Sequence, residues 1–165
     1  KNDRANHQWH SDSYLKIHPA HASILNGRTT PKIGGSTHFI CMRNIYKRLD
    51  QSIQKQLDNL DAIHHFAHSR SKIDSSMVSQ IELDKFPPVI HPMVKINPVN
   101  NKKAVYFGSH TKSIKNLDGD ESSKLLKYLN DFINNEDYIY SHKWDDFDLI
   151  IWDNRSMLHL SLIHI

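Results

Sequence analysis

Apolar and polar residues alternate in short runs over most of this chain, and helical spacing stands out in only two places. The alternation predicts a first strand with its loop over His7 to Tyr14. Pro19 then breaks the chain, and a second strand follows over Ala20 to Leu25. Asn26 to Thr37, with Gly27, Pro31 and the Gly34-Gly35 pair, reads as loop; paired glycines allow backbone angles that other residues avoid. Ile45, Leu49, Ile53, Leu57 and Leu60 recur three or four apart, which predicts helix, as one rod or as pieces broken near Asp50. Ala62 to His68 alternates loosely as a strand, and the polar stretch 69–85 has no period and reads as a mobile loop. Val89 to Ile96 is a strand interrupted by Pro92. A turn over Pro98-Val99-Asn100-Asn101 leads to Ala104–Phe107 as the second arm of a hairpin.

The clearest helix follows Asp118. Leu125, Leu126, Leu129, Phe132 and Ile133 form its apolar stripe, and Asp118 with Glu121 makes a capping-box-like start. Asp148 to Trp152 reads as a strand, Asp153-Asn154-Arg155 as a turn and Met157 to Leu162 as a final strand. Many short strands with two helical insertions predict an antiparallel β-core of the jelly-roll type, in which the first and last strands meet at one mouth.

Composition narrows the function without choosing it. A chain of 165 residues is one domain's length, with 38% hydrophobic and 24% charged residues. The net charge of +3 is small and its lysines are scattered, so nucleic acid is not an expected partner. Cys41 is the single cysteine, which rules out an internal disulfide and a cysteine-based zinc cluster. No apolar run reaches membrane-spanning length and no signal peptide opens the chain, so a cytoplasmic location is expected. The chain begins at Lys1 without a methionine, however, so an upstream segment is an open question. Thirteen histidines are too many for their number to indicate a metal; position must do that.

Position singles out His10 and Asp12. On an extended strand, residues two apart point to the same face, so imidazole and carboxylate converge. A distant histidine, His159, would complete a 2-His-1-carboxylate set, which suits non-haem Fe(II) and leaves positions open. The spacing alone equally allows a strand histidine and a core histidine bonded to backbone, and a zinc hydrolase could use the same residues.

Longer runs add to this pair. Trp9-His10-Ser11-Asp12-Ser13, Gly34-Gly35-Ser36-Thr37 and Trp152-Asp153-Asn154-Arg155 followed by His159 resemble, in that order, the taurine dioxygenase / 2,4-dichlorophenoxyacetate dioxygenase family. Phe86-Pro87-Pro88-Val89-Ile90-His91-Pro92, His68-Ser69-Arg70, Ser109-His110 and Tyr140-Ser141-His142-Lys143-Trp144 lean towards its 2,4-dichlorophenoxyacetate branch. The resemblance implies a double-stranded β-helix (jelly roll, cupin-like), here truncated at both ends, forming one catalytic domain over 1–165. It implies Fe(II) as metal, with 2-oxoglutarate and O2 as cosubstrates. His10, Asp12 and His159 would be the metal ligands, Thr37 would hold a carboxylate of 2-oxoglutarate, and Asn6 would contact substrate. The expected reaction is hydroxylation of a small anionic organic acid, aryloxyalkanoate- or sulfonate-like, with release of succinate and CO2. The expected partner is thus a small molecule, not nucleic acid or a membrane, and a homo-oligomer is left open.

One departure qualifies the resemblance. The family's arginine for the distal carboxylate of 2-oxoglutarate follows the second histidine, and no arginine follows His159 here. A bidentate guanidinium–carboxylate pair is the strongest single contact such a site offers. The expectation is a truncated record, whose 165 residues alone would not sustain the reaction. The alternatives are an inactive paralogue serving as a metal- or ligand-binding module and a zinc-binding cupin-like module. Trp9 and Trp152 are expected in the core.

Overall fold

The computed structural model describes residues 8–71 and 79–162. Its strands pair antiparallel throughout, and the pairs nearest the predicted site join segments far apart in sequence. β2 (Thr37–Cys41) lies between β10 (Met157–Ser161) and β8 (Ile139–His142), and β1 (Ala22–Asn26) pairs with β9 (Leu149–Asp153). A second group places β3 (Asp61–His64) between β4 (Val89–Pro92) and β7 (Thr111–Ile114), while β5 (Val94–Ile96) pairs with β6 (Lys103–Val105). Such pairings bring segments from the two ends of the described chain side by side.

The helical spacing after Ile45 resolves into two pieces, α1 (Met42–Arg48) and α2 (Gln51–Leu57). Leu49 and Asp50 between them are extended, with ψ of 147° and 146°. The period survives the break because Ile45, Leu49 and Leu57 are all buried in the same core. α5 (Gly119–Ile133) starts as predicted: the Asp118 carboxylate accepts the Glu121 N–H at 2.7 Å. Its buried Leu125, Leu129 and Ile133 pack with Ile40, Met42, Phe107 and Leu158. Burying each such side chain contributes about 1.5–3 kcal/mol.

Several expectations change. The strand over His7 to Tyr14 reduces, among the described residues, to a single bridge at His10, after which residues 12–15 turn. Ser13 takes a left-handed φ of 63° there. The strand starting near Ala62 stops at His64, because Phe66 opens α3 (Phe66–Ser71) and is itself buried. The expected mobile loop contains the end of α3 and α4 (Gln80–Lys85); its residues 72–78 lie outside the described residues.

Candidate metal and cosubstrate site

His10 and His159 sit opposite each other across an antiparallel bridge. The His10 N–H donates to the His159 carbonyl at 3.1 Å, and the His159 N–H returns the bond at 2.8 Å. This places the imidazole centroids 4.2 Å apart. β10 is fixed by its register with β2, where His159 faces Phe39. His10 makes the bridge and Asp12 opens a turn over residues 12–15, so the carboxylate meets the histidines from the start of a turn and not from within the predicted strand.

One donor atom from each of His10, Asp12 and His159 lies within 4.8 Å of the other two. The His10 Nδ1 lies 2.7 Å from the Gln8 carbonyl, a bond only its N–H form can donate, so Nε2 carries the free lone pair. His159 Nε2 is 3.7 Å from Asp12 Oδ1, too long for a hydrogen bond. Burial, reinforced by His10 and opposed by Asp12, pushes the His159 imidazole down to about 4. It is therefore neutral near pH 7, and the contact with Asp12 is not an ion pair. Two imidazoles and a carboxylate gathered at one point are a donor set that suits a divalent metal. Among the described residues His159 Nδ1 is buried without a partner.

The three side chains face a cavity of about 410 Å³. Ile24, Leu25 and Trp152 supply its apolar wall, and Thr37 its opposite polar edge. Trp152 is thus both core and site wall, beyond the purely structural place expected for it. Trp9 packs against the core as expected, with its indole N–H donating to Asn134 Oδ1 at 2.9 Å. Thr37 is 1% exposed, and its Oγ1 accepts the Trp144 indole N–H at 2.9 Å. An indole can only donate, so the threonine keeps its own proton for another acceptor.

Arg155 is not free to serve as the anchoring cation. Its Nε and Nη2 donate to the two carboxylate oxygens of Asp153 at 2.9 and 3.0 Å. Asn6, the expected substrate contact, lies outside the described residues. Three residues at the site escaped the sequence reading: Trp144, Ser23 and Asn154. Trp144 and Asn154 stood in the resembling runs without a role, and nothing near Ser23 marks it.

Known proteins match the chain over most of its length. The family described as taurine catabolism dioxygenase TauD, TfdA family covers residues 1–161. The chain belongs to this family. It is 33% identical over 155 residues to the alpha-ketoglutarate-dependent 2,4-dichlorophenoxyacetate dioxygenase of Cupriavidus pinatubonensis, over 94% of this chain and 54% of that protein. It is 30% identical over 159 residues to the alpha-ketoglutarate-dependent sulfonate dioxygenase of Saccharomyces cerevisiae, over 94% of this chain and 38% of that protein. A solved structure of AAD-2 in complex with Mn(II) and N-oxalylglycine superposes with a TM-score of 0.89 at 33% identity. That match covers 95% of this chain and 62% of the other. The chain spans about half the length of the first of these relatives. Among the described residues, no helix is long and apolar enough to cross a membrane.

Proposed function

We propose that this chain lies within the catalytic domain of an Fe(II)- and 2-oxoglutarate-dependent dioxygenase that hydroxylates a small anionic organic acid, releasing succinate and CO2. The observation that carries the reading is the convergence of His10, Asp12 and His159 on the cavity that Thr37 also borders. The long-range antiparallel pairing of β1 with β9 and of β2 with β8 and β10 supports a double-stranded β-helix around it.

His10 Nε2, the Asp12 carboxylate and His159 would hold the metal. When bound, iron supplies the redox chemistry that couples oxidative decarboxylation of 2-oxoglutarate by O2 to hydroxylation of a C–H bond. The protein's part is to hold its ligands in place and to present donors. The Gln8 carbonyl fixes the tautomer of His10, and burial keeps His159 unprotonated. Thr37, whose oxygen is already occupied by Trp144, would donate to a carboxylate of 2-oxoglutarate.

The apolar wall of Ile24, Leu25 and Trp152 favours an aryloxyalkanoate over an alkanesulfonate, in line with the name of the Cupriavidus relative. The test is succinate release by the full-length protein supplied with Fe(II), 2-oxoglutarate and either an aryloxyacetate or an alkanesulfonate. Aryloxyacetate-dependent succinate supports the reading. Tight binding of 2-oxoglutarate without succinate from any acid would instead make this a ligand-binding module.

A further inference from the structure

Asp12 does not reach its position unaided. Its Oδ2 accepts a hydrogen bond from the Ser23 hydroxyl on β1, and that hydroxyl in turn accepts from Asn154 Nδ2 at 2.9 Å. The direction of the chain is fixed by chemistry. An ionised carboxylate can only accept, so the single Ser23 proton goes to Asp12 and the Asn154 amide must donate. Asn154 is 1% exposed and belongs to the turn that joins β9 to β10, the strand of His159. That turn is held from two sides. The Asn154 N–H donates to the His21 carbonyl at 2.9 Å, and the Ser11 hydroxyl donates to the Asn154 carbonyl at 2.6 Å. Ser11 lies between the two predicted ligands His10 and Asp12.

We infer that Ser23 and Asn154 are positioning residues that fix Asp12 for the metal, an inference that rests on the metal site proposed above. Ser23 occupies Oδ2 and so leaves Oδ1, the oxygen 3.7 Å from His159 Nε2, as the oxygen that would be available to a metal. Asn154 ties this choice to the segment that delivers His159. The two ligand-bearing segments, His10–Asp12 and β10, are therefore joined through Ser23 of β1 in one hydrogen-bonded chain. Among the described residues Asn154 Oδ1 is buried without a partner, so the amide satisfies the relay at the expense of its own oxygen.

The experiment measures Mn(II) affinity by calorimetry, and the absorption spectrum of the Co(II) form, in the full-length protein and its variants. Ser23→Ala should weaken Mn(II) binding about tenfold or more, the usual consequence of losing a hydrogen bond to a ligand. It should also alter the Co(II) spectrum, because Oδ2 becomes free to coordinate. Ser23→Thr keeps the hydroxyl and should restore both. Asn154→Ala, whose fold is checked by circular dichroism, should move affinity in the same direction. Unchanged affinity and an unchanged Co(II) spectrum in Ser23→Ala, while Asp12→Ala abolishes binding, would overturn the relay alone. Undiminished binding in Asp12→Ala would overturn the metal site and the relay with it.

Discussion

Replacing Thr37 with alanine removes one hydroxyl from a position that is 1% exposed and bordered by the candidate metal ligands. If that hydroxyl donates to a carboxylate of 2-oxoglutarate, the lost bond is one to a charged group, worth about 1.5–3 kcal/mol. That converts to roughly a 10- to 150-fold loss of affinity. Trp144→Phe keeps most of the ring but deletes the N–H that sits 2.9 Å from Thr37 Oγ1. The threonine is then free to rotate, and the cost is that of a neutral bond, about 0.5–1.5 kcal/mol, or roughly two- to twelvefold. The two changes act through one hydroxyl, so they should not add: Trp144→Phe should cost almost nothing in the Thr37→Ala background. The assay is calorimetric titration of N-oxalylglycine, an amide analogue of 2-oxoglutarate, into the Mn(II)-loaded full-length protein, a pair already seen in the AAD-2 structure. Thr37→Ser should bind nearly normally. Equal affinities for Thr37→Ala and the unaltered protein would return Thr37 to a structural role. Full additivity of the two changes would show that Trp144 acts elsewhere.

Two further predictions concern the packing behind the site. His64 is fully buried, and desolvation, then His91, His110 and Lys95, push it down to about 3. The unfolded chain takes up that proton below about pH 6.5 and the folded one does not, so this contribution to stability is present above that pH and falls as pH drops. His64→Gln cannot titrate. Its urea-unfolding free energy should therefore lose roughly 1.4 kcal/mol less per pH unit than the unaltered protein between about pH 6 and 4.5, and parallel profiles would contradict this. Gly108 backs onto the hydroxyl end of Tyr14, where an added Cβ would collide with the Tyr14 hydroxyl. Gly108→Ala should cost about 1–3 kcal/mol, read as a lower thermal midpoint, and an unchanged midpoint would refute the close approach.

The sequence reading went furthest where one local signal decided the outcome. Asp118, Glu121 and the Leu125–Ile133 stripe located α5, because capping and amphipathic spacing are both local. The Pro98–Asn101 turn between β5 and β6 was equally clear from its proline and asparagines. β2 was missed: Thr37–Cys41 is a short central strand that runs directly into α1 at Met42, without a turn residue to mark its end. β7 was missed because Thr-Lys-Ser-Ile looks polar, although Thr111 and Ile114 are buried. At the site, His10, Asp12, Thr37 and His159 were all named, yet the strand expected to carry His10 and Asp12 is a single bridge at His10 followed by a turn that Asp12 opens. Ser23 and Trp144 act across β1 and the loop before β9, partners that only three-dimensional pairing reveals.

The central claim is that His10, Asp12 and His159 form one metal site. The most direct measurement is anaerobic titration of Fe(II) into the full-length protein and into His10→Ala, Asp12→Ala and His159→Ala. The account predicts one bound Fe(II) per chain in the unaltered protein and loss of that binding in each variant, because each removes one of three protein ligands. Stoichiometric binding that survives at unchanged affinity in any one of the three would contradict it.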